Sequence, residues 1–332
     1  MKPIKIIAPK NEEYIIIFNR KTGQEILSGV NGNPDPFILE SPNMIDVGIM
    51  GHCLNRCKIC YQGDNQEPNM KLEDFREIMI QTGKHVNQVA LGGRGDPNLH
   101  ENFKEILECC HEYGVVPNYT TSGNNLTDEQ VEITKKYCGA VAVSNYDKDF
   151  TYVAIDKFLK VNMKTNIHFV LTRDSFVDAI KIISGIDIWN NKVDINKLNA
   201  VVFLLFKPQG RGKDKPYLMP TDEQLTEFSN LLLYPKCIFK VGCDSCLINK
   251  VSKFRGLSDS EKHFVDTCEG GRMSCYISPN MMFMPCSFGD RFKDGIKINK
   301  DNSIQKIWES GEPFLRFRNC LEKNPEGCPY EL

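Results

Sequence analysis

The chain has 332 residues, 41% hydrophobic and 25% charged, with a formal net charge of −2 at pH 7. That leaves room for one large α/β domain plus an appendage in an ordinary globular composition, and gives no electrostatic case for nucleic acid or an acidic membrane. No apolar run approaches the length of a membrane-spanning helix, and Met1-Lys2-Pro3-Ile4-Lys5 starts no secretory signal. The expected compartment is the cytoplasm, where 14 cysteines stay reduced and serve metal or redox chemistry rather than disulfides.

Residues 1–43 read as an N-terminal extension. Tyr14-Ile15-Ile16-Ile17-Phe18 is a strand, and Asn19-Arg20-Lys21-Thr22-Gly23 supplies turn chemistry before Glu25-Ile26-Leu27. A β-hairpin closing one end of the next domain is expected.

From Met44 strands and helices alternate. Met44 to Met50 is the first strand, and a helix over about 71–83 follows with Leu72, Phe75, Ile78 and Met79 on one face. Gln88 to Leu91 is the second strand. The next helix carries Phe103, Ile106, Leu107 and Cys110, and Val115 to Tyr119 is the third strand. Thr127-Asp128-Glu129-Gln130 is a capping box, as is Thr221-Asp222-Glu223-Gln224. Further strands lie near Ala140–Val143, Asn166–Leu171 and Val201–Phe206. Repeated units of this kind predict an α/β fold with a parallel sheet and right-handed crossovers. Ligands then gather at the C-terminal ends of the strands.

The first strand delivers Gly51-His52-Cys53-Leu54-Asn55-Arg56-Cys57-Lys58-Ile59-Cys60-Tyr61, three thiols spaced C-x3-C-x2-C. Thiolates are the usual ligands of iron–sulfur clusters, and three of them leave one iron of a four-iron cube open to a substrate. Two other readings stand: one helix face with buried thiols, or a zinc site using Cys57 and Cys60. The spacing resembles the signature of the radical S-adenosylmethionine (SAM) superfamily. In that family the free iron chelates the amino and carboxylate groups of SAM. An electron from the cluster then splits the sulfonium into methionine and a 5′-deoxyadenosyl radical.

The resemblance extends along residues 44–330 and implies an open, partial (β/α)6 TIM-like barrel. Leu91-Gly92-Gly93-Arg94-Gly95-Asp96-Pro97 ends the second strand and resembles the Gly-Gly-Glu-Pro motif that binds the SAM amino group. It departs by inserting Arg94 and by having Asp96 where Glu is usual. Gly93, Gly95 and Asp96 are accordingly candidate SAM contacts. Thr120-Thr121-Ser122-Gly123 is similar to a segment near the SAM methionine moiety, which nominates Ser122. Alternation along the fourth and fifth strands turns Ser144, Asn166 and His168 inward as further candidates. Ile59 stands where the family often has an aromatic residue beside adenine. Lys207-Pro208-Gln209-Gly210-Arg211-Gly212 looks like the Pro-x-Gly-Arg stretch of members with a C-terminal cluster domain.

The C-terminal third, 236–332, holds eight more cysteines. Cys268 to Pro279, leading to Met284-Pro285-Cys286, resembles the start of a SPASM or twitch domain. Ser303 to Trp308 and Phe314-Leu315-Arg316 are similar to the helix of such a domain. The resemblance implies at least one auxiliary [4Fe–4S] cluster, with Cys246, Cys268, Cys286 and Cys328 favoured and Cys320 competing for the last place. Zinc held by Cys243, Cys246 and two later cysteines is the alternative. Cys109, Cys110 and Cys138 read as core residues.

The boundaries expected are 1–43, a radical SAM core at 44–235, and the auxiliary domain at 236–332. The function implied is hydrogen abstraction from a substrate after SAM cleavage, with a flavodoxin or ferredoxin supplying electrons. The substrate expected first is a ribosomally made peptide, crosslinked, epimerised or oxidised. Peptide-modifying members often carry a longer leader-binding domain at the N-terminus, and its apparent absence counts against a standard leader-dependent mode. A small molecule (sugar, amino acid or nucleotide) is therefore the alternative, and a non-catalytic zinc or iron–sulfur protein a third.

Overall fold

The computed structural model describes residues 2–9, 12–255 and 268–330. Three strands, β1 (Ile4–Ile7), β2 (Tyr14–Asn19) and β3 (Glu25–Gly29), form a separate antiparallel sheet. The β2–β3 hairpin matches the sequence reading. β1 was not anticipated, because it is a short edge strand with Ile4 and Ile6 exposed and so carries little hydrophobic pattern. This small sheet sits against segments that lead into the main strands. Lys5 Nζ donates to the carbonyls of Gly83 (3.1 Å) and Val86 (2.6 Å), Arg20 Nε to Gly114 (3.0 Å), and Lys164 Nζ to Thr22 (3.0 Å). It therefore covers the N-terminal end of the large sheet.

That sheet begins with the six expected strands: β4 (Met44–Met50), β5 (Gln88–Gly93), β6 (Val116–Thr121), β7 (Ala140–Ser144), β8 (Thr165–Leu171) and β9 (Ala200–Leu205), each parallel to the next. They alternate with α1 (Leu72–Thr82), α2 (Phe103–Glu112), α3 (Asp128–Tyr137), α4 (Asp149–Lys160) and α5 (Phe176–Ile183); α6 (Asp222–Leu232) follows β9. The capping boxes at Thr127 and Thr221 both form, each hydroxyl accepting from a backbone N–H three residues on while the Gln side chain accepts from the cap's own N–H.

Residues of β8 divide as the pleat dictates. Thr165, Ile167, Phe169 and Leu171 are buried under helices, while Asn166 and His168 face the lumen. Each large apolar side chain buried in this way contributes about 1.5–3 kcal/mol. Cys109 and Cys110 are among the buried residues.

The sheet runs further than the sequence suggested, on both sides. Beyond residue 235, β10 (Lys240–Cys243) pairs parallel with β9, followed by α7 (Ser245–Arg255). Lys-Val-Gly-Cys has no apolar run to announce a strand. On the other edge β11 (Ser274–Ile277) pairs parallel with β4, and β12 (Met282–Met284) and β13 (Ile296–Lys297) continue antiparallel. The C-terminal segment thus extends the barrel sheet itself, an arrangement set by long-range pairing that no local pattern encodes.

Two of its helices, Ile304–Ser310 and Glu312–Lys323, fix it in place. Trp308 is buried with its Nε1 donating to Leu39 O at 2.9 Å, and the Arg318 guanidinium lies 4.5 Å over its ring. Among the described residues no helix is long and apolar enough to cross a membrane.

Candidate metal and cofactor site

The cysteine loop leaves β4 after a fully buried run, Val47 to Met50, and is drawn back over the strand end. Glu67 N donates to Gly51 O (3.0 Å), Met70 N to Ile49 O (2.9 Å), and Gly51 N to Asn69 Oδ1 (3.0 Å). Inside the loop Cys60 N reaches Cys57 O at 3.2 Å. Cys53, Cys57 and Cys60 are all partly buried.

Neighbouring strand ends press on this loop. A side chain at Gly93 would strike the Met50 carbonyl, and one at Gly95 the His52 carbonyl, so only glycine lets the two loops approach this closely. The inserted Arg94 has a structural task. Its N–H donates to Met50 O (2.8 Å) and its Nη1 to the Gln62 carbonyl, which ties the exit of the cysteine loop to β5. On the far side Arg211 N donates to Cys60 O (2.9 Å), giving the Lys207–Gly212 stretch a role in holding the loop, and just beyond it Lys215 Nζ donates to Lys58 O (3.0 Å).

Asp96 and Ser122 form one unit. Ser122 N donates to Asp96 Oδ1 at 2.7 Å and Ser122 Oγ to Oδ2. Asn55, inside the cysteine loop, donates to Ser122 Oγ at 2.8 Å and accepts from Asn124 at 3.2 Å. Burial raises the Asp96 carboxyl above its usual range, and the Ser122 bonds pull the other way.

Burial likewise pushes the Cys53 thiol up, and the charges acting on it, those of Asp96, Cys57 and Cys60, add to the shift. All three are negative when ionised, so three thiolates here need a cationic partner, which a metal centre would supply. The donor set therefore fits a cluster. Tyr146, absent from the sequence reading, meets Cys57 Sγ at 3.0 Å. Its position two residues past Ser144, at a strand's C-terminal end, was the available signal.

Ser144 pairs in register with His168. His168 and Asn166 line a cavity of about 300 Å³ with Thr120, Ala142 and the β2–β3 turn at Arg20–Gly23. They occupy the side of the lumen closed by the small sheet, and no bond joins them to the cysteine loop. Thr120 Oγ1 lies 3.3 Å from His168 Nδ1, and Asn199 donates to Asn166 Oδ1 at 2.6 Å. Burial lowers the His168 pKa to about 4 against an opposing effect of Asp244, so its imidazole is neutral.

The later cysteines fall into two groups. Cys246 in the first turn of α7, Cys268, Cys286 after β12, and Cys328 lie within electrostatic reach of one another. Burial raises the Cys246 thiol to about 12, and Asp244, Cys268 and Cys328 add to it while Lys207 opposes. The structure does not bring Cys320 into this group. That residue is exposed on the Glu312–Lys323 helix, off the stripe of Phe314, Phe317 and Leu321 that faces the core. Cys275 is buried in β11 against Met44 O, and Cys243 ends β10. Among the described residues no three His, Cys, Asp or Glu side chains converge on one metal ion. A cube spreads its ligands over different irons, so single-ion convergence is not what it requires.

The two cysteine sites adjoin. Tyr61, next to Cys60, packs on Phe288, two residues after Cys286, with ring centroids 4.6 Å apart.

No family model matches the sequence. Solved structures do resemble the fold. Streptococcus suis SuiB bound to S-adenosylmethionine matches with a TM-score of 0.72 and 16% identity, covering 96% of this chain and 89% of that one. SuiB bound to its precursor peptide SuiA gives 0.70 and 15% identity over 96% and 90%. The anSMEcpe protein with bound AdoMet and a Cp18Cys peptide gives 0.61 and 15% identity over 83% of each chain. The chain has the radical SAM fold. Because the SuiB match spans nearly its whole length, the radical SAM likeness takes in the C-terminal segment as well as the barrel. A curated relative, the tungsten-containing aldehyde ferredoxin oxidoreductase cofactor-modifying protein of Pyrococcus furiosus, is 26% identical over 88 residues. This chain spans about a quarter of that relative's length.

Proposed function

We propose that this chain is a radical SAM enzyme that modifies a peptide. The observation that carries the reading is the meeting, at the C-terminal end of one parallel sheet, of the Cys53–Cys60 loop with the Asp96 carboxylate held by Ser122. Cys53, Cys57 and Cys60 would hold a [4Fe–4S] cluster, which when bound supplies the electron for reductive cleavage of SAM. Asp96 is pre-set to accept from the SAM ammonium, since Ser122 fixes its rotamer and leaves lone pairs on both oxygens. Gly93 and Gly95 bring backbone close to the ligand, and Asn55 links the loop to Ser122 so that cluster and carboxylate keep one spacing. Ser144, at the end of β7, is the remaining candidate contact, while Asn166 and the neutral His168 line the lumen on the side closed by the small sheet.

Cys246, Cys268, Cys286 and Cys328 would hold an auxiliary [4Fe–4S] cluster, in a C-terminal unit that follows an N-terminal sheet (1–43) and the core (44–235). A flavodoxin- or ferredoxin-type donor in the cytoplasm would supply electrons. Support for a peptide substrate comes from the SuiB and anSMEcpe structures, each solved with a peptide bound. The test is to incubate the anaerobically loaded enzyme, SAM and dithionite with a deuterated peptide encoded beside this chain's gene. Mass spectrometry should find deuterium in 5′-deoxyadenosine and a mass change in the peptide. Label staying wholly in unmodified peptide overturns the peptide reading.

A further inference from the structure

Lys207 leaves β9 and is almost fully buried, 7% exposed, a rare state for lysine that demands a partner. Its ammonium pairs with Asp244, which follows β10, and lies 4.7 Å from the Phe288 ring centroid. Asp244 is itself fixed, because Leu205 N and Leu247 N donate to its Oδ1 at 3.2 and 2.8 Å. Each contact lies two residues from a cysteine of the C-terminal group: Asp244 precedes Cys246 and Phe288 follows Cys286. The charges of Cys246 and, more weakly, Cys286 act on the Lys207 ammonium. A buried pair is expensive to keep when hydrophobic residues of the same volume would serve stability as well or better, so its place against the cysteines calls for another reason.

We propose that the Lys207 ammonium, set in place by Asp244 and Phe288, is a positioning charge that raises the reduction potential of the centre held by Cys246, Cys268, Cys286 and Cys328. This rests on the auxiliary-cluster reading above. Reduction adds one electron and hence one negative charge to the centre, and a fixed cation close by in a low-dielectric interior stabilises the reduced form. The ammonium thus poises the auxiliary site to take an electron rather than to give one. Tyr61 and Phe288, in contact between the two cysteine sites, put the first cluster's loop beside it.

The test is potentiometric titration of the anaerobically loaded protein, followed by electron paramagnetic resonance. Lys207→Met should lower the auxiliary potential by at least about tenfold in the one-electron equilibrium, ~59 mV. Asp244→Asn, which keeps an oxygen to accept from Leu205 and Leu247, should raise it, and Lys207→Arg should leave it near wild type. Opposite signs from the two neutralising variants separate a charge effect from a packing defect. Shifts of the same sign, or none, in protein carrying about eight irons overturn the inference alone. Wild-type protein loading only about four irons overturns the auxiliary-cluster reading, and the inference with it.

Discussion

The two cysteine sites differ in how they are assembled. Cys53, Cys57 and Cys60 belong to one loop of eight residues and remain partly exposed. Cys246, Cys268, Cys286 and Cys328 come from four places along 83 residues of sequence; they too are partly exposed, but burial pushes the Cys286 thiol well above its usual range. The first site is organised locally and then braced by Arg94, Asn55, Arg211 and Lys215. The second exists only after β11 has docked on β4 and α7 has packed. An open loop suits a centre that must admit a small cosubstrate. A centre gathered from distant segments suits one whose potential is set by its surroundings.

The sharpest way to break the comparison is to remove one thiol from each site. Cys60→Ala and Cys286→Ala should each fall from about eight to about four irons per chain after anaerobic loading. Only Cys60→Ala should also stop SAM cleavage, as read by chromatography of 5′-deoxyadenosine. Cys320→Ala should match wild type in both assays, and a loss of iron there would return Cys320 to the ligand set.

Asp96 comes next. Asp96→Asn removes the charge-assisted bond expected to SAM, a loss of about 1.5–3 kcal/mol or roughly ten- to a hundredfold in SAM affinity. Calorimetric titration of loaded protein checks this, and unchanged affinity would remove Asp96 from the site.

Stability rather than chemistry is what Asp46 bears on: this lumen-facing acid on β4 has its pKa raised to about 7, first by burial and then by Glu269. Because its folded pKa exceeds the unfolded value near 3.9, the folded state binds the extra proton and stability falls as pH rises from about 4 to about 7. Asp46→Asn should therefore gain stability relative to wild type across that range, with the gain level above it. Urea midpoints at several pH values test it.

The sequence and the structure agree where information is local. β4–β9 could be read because apolar runs alternate with 3.6-residue periodicity, and both Thr-x-x-Gln caps form as their residues demand. The cysteine loop was legible because its spacing lies within one turn-rich segment. What escaped was long-range. β10 has no apolar run, β11 becomes the neighbour of β4 only in the folded chain, and Lys207 read only as the first residue of a Pro-x-Gly-Arg-like stretch, with nothing local to announce its pairing with Asp244. Arg94 could be seen as an insertion, but its bond to the Gln62 carbonyl could not. The separation of Cys320 from Cys328 was within reach, since Phe314, Phe317 and Leu321 mark the buried helix face and Cys320 lies off it.

The most direct measurement takes protein reconstituted anaerobically with iron and sulfide, adds dithionite and SAM, and quantifies 5′-deoxyadenosine. Wild type should form it and Cys57→Ala should form none. Well-loaded wild type that forms none, or a Cys57→Ala variant that matches wild type, contradicts the account.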